Sequence, residues 1–175
     1  MILLDDLDGF DQRGSVVLSR AECLALMVAP AGGRVGRIGM EMAGMPAVLP
    51  LNYVLHGDDV VLRVGPGSIL GVAAHGPVVA FEVDGTIEPS GREEAEEAWS
   101  VLVRGHIAVV RDPVLVDELA ASGLTPLVPE AGEVYLLVRS ERVTGRRFRV
   151  GALARYAMAA APGGDGHSAR GEESP

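Results

Sequence analysis

The stretch PLNYVLHGDDVVLRVGPGS, residues 50–68, decides the fold. Two apolar runs rich in β-branched and aromatic residues flank the turn HGDD, a pattern that predicts a β-hairpin. Glycine first in a two-residue loop, Gly57-Asp58, suits a type II′ turn, and a four-residue loop would give the same register. Leu55 then opposes Val60, Val54 opposes Val61, Tyr53 opposes Leu62, and Asn52 lies across from Arg63. Side chains alternate between the faces of a strand, so Asn52, Val54, Val61 and Arg63 share one face while Tyr53 and Leu62 occupy the other. A polar pair therefore stands at the open end of an apolar face. Past Arg63 the chain runs through Gly65-Pro66-Gly67 to Ser68, which can cap a helix over ILGVAA and turn its first free N–H groups outward. Guanidinium, hydroxyl and helix terminus together suit an anion such as a phosphate. The alternative is that Arg63 snorkels to solvent beside an ordinary glycine-rich loop. GPGS lacks the lysine and spacing of a nucleoside-triphosphate loop and matches no dinucleotide fingerprint.

Working outward, LSRAECLALMVA carries Ser19 and Glu22 at capping-box spacing and predicts a helix of about three turns, ended by Gly32-Gly33. RVGRIGMEM predicts a short strand weakened by glycine. A turn at Ala43-Gly44 leads into PAVLPLNYVL, where Pro46 and Pro50 predict an irregular or edge strand. PVVAFEVDG reads as a strand, and SGREEAEEAW pairs Ser90 with Glu93 in a second capping box with a solvated glutamate face. WSVLVRGHIAVV is a long strand with an expected bulge at Gly105. DPVLVDELAASG has helix signals at both ends, and EVYLLVRSERVTGRRFRV gives a strand, a turn at Thr144-Gly145 and one further strand. About six strands with few helices between them predict a mainly β fold, an antiparallel barrel decorated by helices, because parallel pairs need a crossover helix after nearly every strand. The domain is expected to span residues 15–156, after an acidic leader over 1–14 and before a small, polar, glycine-rich tail over 157–175 that is expected to be disordered.

With 175 residues, 48% of them hydrophobic and 22% charged, the chain suits one globular domain with a true core. A formal charge of −9 argues against a nucleic-acid or anionic-membrane surface, which needs clustered cations. All 15 basic residues are arginine, so any anion site here uses guanidinium forks, helix termini or hydroxyls. One cysteine excludes an internal disulfide and fits a reducing compartment. No stretch approaches the roughly 18 uninterrupted apolar residues of a membrane span, and MILLDDLDGFDQRG is acidic, unlike a secretion signal. A cytoplasmic protein is expected.

The succession of an ECLALM helix, PLNY in a strand, LRVGPGS entering a helix, VAFEVD, WSVLVRG and VTGRRF resembles the pyridoxamine 5′-phosphate oxidase-like family of flavin-binding split barrels. The likeness covers roughly residues 15 to 150, in the family's order. It implies a six-stranded antiparallel split β-barrel, usually a homodimer, with FMN in a cleft between protomers. On that pattern Pro50, Leu51, Asn52 and Tyr53 would run beside the isoalloxazine ring, and Arg63 and Ser68 would face the flavin phosphate. Trp99, Ser100 and Val101 match the strand that completes the cleft, contributed by the same or the second subunit. Arg146 and Arg147 match a motif near the end of the barrel and are not assigned to ligand. The chain has Val64 and Ile69 where the family often shows threonine and lysine, which removes two phosphate partners. The resemblance implies an FMN-dependent oxidoreductase of an unidentified small molecule. Its alternatives are a binding protein without turnover that has lost tight FMN, or a relative that takes a deazaflavin or a haem-related tetrapyrrole.

Other chemistry-bearing residues have simpler explanations. Cys23 lies in an apolar helical segment and is expected in the core. His56, His75, His106 and His167 lack the spacing of a zinc site, so no metal is expected. His106 reads as a satisfied barrel histidine. Glu82 and Asp84 share a strand face and are expected to meet water or an arginine rather than perform acid–base work.

Overall fold

The computed structural model describes residues 15–28, 33–65, 67, 73–87, 97–127 and 133–149. Its elements are β1 (Ser15–Leu18), α1 (Arg20–Met27), β2 (Arg34–Met42), β3 (Met45–His56), β4 (Asp59–Val64), β5 (Val78–Ile87), β6 (Glu97–Val109), α2 (Pro113–Ala121), β7 (Val134–Val138) and β8 (Arg142–Arg149). The acidic leader, the tail, the helix expected over ILGVAA except for Ala73 and Ala74, and the second capping box at Ser90 lie outside the described residues. Among those described, no helix is long and apolar enough to cross a membrane.

The opening hairpin forms in the expected register, from His56↔Asp59 to Tyr53↔Leu62. Gly57 has φ 59 and Asp58 is not in the positive region, as a type II′ turn requires. The neighbouring hairpin turns at Ala43 and Gly44, with φ 53 and φ 79, and pairs Met42 with Met45. From there the strands order themselves as β6-β5-β2-β3-β4-β7, all antiparallel, and β7 returns to β6 to close a six-stranded barrel. β3 pairs with β4 only from Tyr53 onward, so among the described residues the opposite side of Met45–Asn52 has no strand partner, and Pro46 and Pro50 stand on this edge. Proline cannot donate to a ladder, which suits it to such an edge.

Closure depends on β6. One of its sides pairs with β5 from Glu97 to His106 without interruption. The other side is divided: Glu97–Arg104 pair with β8, and Ile107–Val109 pair with β7. The division falls at Gly105, where a Cβ would stand 1.8 Å from the Arg139 carbonyl oxygen. The bulge expected at Gly105 is therefore absent. Its glycine is needed because the backbone of the β7–β8 turn crosses against it, with Arg139 N donating to His106 O at 2.9 Å. The turn expected at Thr144-Gly145 is absent too: the chain reverses between Val138 and Arg142, and β8 runs straight through Gly145. There a Cβ would lie 2.6 Å from Cys23 Sγ, so this glycine makes room for a helix.

That helix is α1. Ser19 Oγ accepts from Glu22 N, and Glu22 Oε2 accepts from Ser19 N at 2.8 Å, the expected capping box. It holds eight residues rather than about three turns and ends at Val28. Cys23 and Met27 enter the barrel's cluster with Ile38, Tyr53, Leu62 and Phe81. The Phe81 ring fills the space left by Gly36, and Tyr53 meets that ring edge-on at 5.1 Å. A second, smaller cluster forms outside the barrel, where Leu119 of α2 packs with Val54, Val61, Leu124 and Tyr135. α2 starts at an Asp112 cap that accepts from Val114 N, with Pro113 in its first turn, and gives way to Gly123 at φ 71. The strand over SVVL, β1, was not expected; four residues give too short an alternation to announce it.

Gly105→Ala is expected to cost upward of roughly 3 kcal/mol in urea unfolding, because the obstructing atom is backbone and cannot step aside. Gly57→Ala, with no atom within 4 Å of its Cβ, should lose only the left-handed conformational preference, about 1 kcal/mol. Equal losses would show that the barrel adjusts at Gly105.

Candidate functional site

Asn52, Val54, Val61 and Arg63 face outward together, as the hairpin register requires. α2 covers Val54 and Val61, and the chain that follows α2 passes over the polar pair. Asn52 Nδ2 donates to Thr125 O at 3.0 Å, and Arg63 Nη1 donates to Leu124 O at 3.0 Å. Arg63 Nε stands 2.9 Å from Glu133 Oε2, and its guanidinium carbon lies 5.4 Å from the centroid of the Tyr135 ring. The two polar residues thus anchor the segment after α2, and Arg63 has a carboxylate partner within its own chain. Val64 is buried in the barrel cluster, and Ser68 and Ile69 lie outside the described residues.

The remaining sequence candidates divide between the inside and the outside of the barrel. Tyr53, Trp99 and Val101 are buried in the core cluster, and Leu51 packs against it. Tyr53 donates its hydroxyl to Met27 O at 2.8 Å, and burial pushes the phenol up to about 12, with Arg34 pulling the other way. Trp99 packs on Gly85, whose missing Cβ would come within 2.7 Å of the indole, and the Arg34 guanidinium lies 5.7 Å from the ring centroid. Pro50 is exposed on the open edge strand, and Ser100 faces outward from β6.

The ladders show how these outward residues relate. Val17 opposes Arg146, Arg146 opposes Ser100, and Ser100 opposes Asp84. The β2–β5 register, carried two residues further, brings Asp84 to Val35, which opposes Asn52. One row thus crosses the outer wall from Val17 to Asn52, and the β3–β4 ladder stops at Tyr53↔Leu62, one step short of pairing Asn52 with Arg63. Ser100 and Asn52 are three strand spacings apart on it, roughly 14 Å. Between them Arg37 binds both Glu82 and Asp84, as expected for that acidic pair. Burial and the neighbouring Asp84 push the Glu82 carboxyl up, and Arg37 opposes them.

A cleft of about 370 Å³ opens at the other end of the row, lined by Val17, Ser100, Leu102, Arg104, Thr144 and Arg146 among others. Arg104 Nε is buried there without a hydrogen-bond partner. Arg104 also stands directly opposite Arg142 in the β6–β8 ladder, so two guanidinium groups share this end of the face. Arg146 Nη1 donates to Ser15 Oγ at 3.2 Å. Arg104 was not foreseen as a site residue, and Arg146 was set aside. The available signal was the alternation Arg142, Thr144, Arg146 on one strand face, which the turn expected at Thr144-Gly145 had hidden.

Cys23 is buried, and burial pushes its thiol up. His106 Nδ1 lies 2.7 Å from Glu141 Oε1, a contact that holds the Glu141 carboxyl below its ordinary value. Among the described residues no group of three or more metal-ligating side chains comes together.

A sequence model of the family described as pyridoxamine 5′-phosphate oxidase matches residues 19–147, which spans the barrel from the α1 cap to β8. The chain belongs to the pyridoxamine 5′-phosphate oxidase family. Among solved structures, the FAD-binding protein from Mycobacterium smegmatis is similar at 32% identity and TM-score 0.62, over 78% of this chain and 100% of that one. An FAD-binding protein from Mesorhizobium loti shares the fold at 24% identity and TM-score 0.57, over 76% and 97%. The FAD and heme binding protein from M. smegmatis shares it at 17% and TM-score 0.54, over 93% and 94%. No curated protein matches the chain. Membership of the family agrees with the closed six-stranded barrel.

Tyr53 gives this placement a pH signature. Its folded phenol ionises near 12 and its unfolded one near 10, so between those values only the unfolded chain loses this proton and stability falls as pH rises. Below pH 10 the contribution is intact. Tyr53→Phe is expected to lose about 1 kcal/mol at neutral pH with the hydrogen bond to Met27, and to show a flatter decline above pH 10 in denaturant melts. Identical slopes for the two proteins would place Tyr53 in water.

Proposed function

We propose that this chain is a flavin-binding oxidoreductase acting on a small molecule, with FMN or FAD held in a cleft completed by a second copy of the chain. The observation that carries the proposal is the cleft at Arg104, where a buried guanidinium N–H without a partner stands beside Arg146 and the hydroxyls of Ser100 and Thr144. That donor set suits an anionic group such as a phosphate. Similarity at 32% identity to a protein that binds FAD supports the flavin, and family membership supports the site's general position.

Two walls are available, and they lie apart on one protomer. Pro50, Leu51, Asn52, Tyr53 and Arg63 form the first, with Leu51 and Tyr53 contributing backbone because their side chains turn inward. Ser100, Arg104, Thr144 and Arg146 form the second. A ligand lying on one convex wall would bury a single face, whereas bound small molecules bury roughly 70–90% of their surface. A homodimer that opposes the first wall of one copy to the second wall of the other supplies the missing cover. In this arrangement the flavin carries the redox chemistry and the protein binds, orients and excludes water. Ser68, outside the described residues, is assigned to the phosphate on the sequence pattern alone. The cytoplasm is the proposed location.

A binding protein without turnover that has lost tight flavin binding is the second reading, favoured by the carboxylate already seated on Arg63. The absorbance spectrum of the purified protein and titrations with FMN and FAD decide between them. A yellow protein, or saturable binding of either flavin, is expected, and Arg104→Gln should weaken it by roughly tenfold or more through loss of a charged hydrogen bond. A colourless protein that ignores both flavins overturns the proposal, and a haem-like Soret band would point to a tetrapyrrole instead. Light scattering should give a dimer.

A further inference from the structure

Arg63 stands where a flavin phosphate is proposed to lie, yet the chain already supplies this arginine with an anion. Glu133 Oε2 sits 2.9 Å from Arg63 Nε, and the Glu133 side chain is 14% exposed. Arg63 Nη1 is engaged by the Leu124 carbonyl at 3.0 Å. Tyr135, directly opposite Arg63 in the β4–β7 ladder, lies under the guanidinium. Three contacts therefore fix the plane of the group. The side-on edge by which an arginine grips a phosphate in a fork includes Nε, and here that edge carries a carboxylate. A phosphate brought to the same edge would meet a like charge at a partly desolvated site, which is strongly unfavourable.

We propose that Glu133 is an internal competitor for the anion-binding edge of Arg63, and that it sets how well this chain accepts a phosphate on that wall. With Glu133 in place the wall favours ligands, or parts of ligands, that bring no phosphate to Arg63. Leu124 and Glu133 bracket the connection from α2 to β7, so a phosphate that displaced Glu133 would also disturb the arginine that anchors both ends of it. The inference rests on the flavin proposal only for the identity of the phosphate-bearing ligand. The carboxylate on the guanidinium is independent of it.

Glu133→Gln keeps an acceptor for Nε and removes the charge, so the fold is preserved. Calorimetric titration with inorganic pyrophosphate compares the wild type, Glu133→Gln and the double variant Arg63→Gln/Glu133→Gln. Glu133→Gln is expected to bind pyrophosphate roughly tenfold tighter or more than the wild type, and the double variant should lose that gain. No gain, or a gain that persists without Arg63, overturns the proposal. FMN and riboflavin, which differ by the phosphate, are then titrated into the same proteins. A gain for FMN alone supports both proposals. If neither flavin binds while the pyrophosphate gain holds, the flavin proposal fails and the role of Glu133 stands. If flavins bind and Glu133→Gln changes neither FMN nor pyrophosphate, the reverse is true.

Discussion

The contact of Gly105 with the Arg139 carbonyl is the constraint on which the rest of the molecule depends. A barrel needs its last strand to reach its first, and here the last strand reaches a β6 whose outer side is already occupied along most of its length by β8. Sharing that side requires the turn between β7 and β8 to pass over β6 at backbone distance, which only a residue without Cβ permits. The same crossing decides where β8 ends up. Because β8 is displaced to the first half of β6, its outward arginines stand beside Ser100 and Arg104, and its inward Gly145 lies open to α1. Barrel closure, helix docking and the positive cleft are three results of one close approach.

The sequence made local features legible and left ambiguous those whose cause lies elsewhere in the chain. The hairpin register followed from a two-residue turn and strand alternation, and the Ser19 box from residues three apart. Glycine was read least well. At Gly57 it serves a turn, at Gly105 a passing carbonyl, at Gly145 a cysteine on a helix, and the letter is the same each time. The partner that distinguishes these cases is distant in sequence, so the bulge at Gly105 and the turn at Thr144-Gly145 were natural errors. Arg63 is the same problem in electrostatic form: its surroundings in sequence suggest an anion site, and only the fold reveals that Glu133 and the Leu124 carbonyl share it.

A chain of net charge −9 with no lysine places its cations selectively. Arg20 and Arg139 tie the turn at Asp58 and Asp59 to the β7–β8 turn, and Arg37 neutralises the acidic pair on the outer wall. Arg104, Arg142 and Arg146 are collected on one face, where alternation along two paired strands concentrates them. Against an acidic background such a face focuses positive potential locally. Guanidinium groups suit this role because they stay charged when partly desolvated.

The open edge of β3 has a consequence for how copies of this protein can meet. In a continuous ladder a proline must turn its nitrogen away from its partner, so Pro46 and Pro50 present no donor to an incoming strand. Their spacing interrupts the repeat that strand addition follows, and the ribbon is a poor template for indefinite stacking. At this edge a contact between copies would have to be made by side chains. Such contacts are finite and can be tuned residue by residue, whereas a free strand edge would accept almost any backbone.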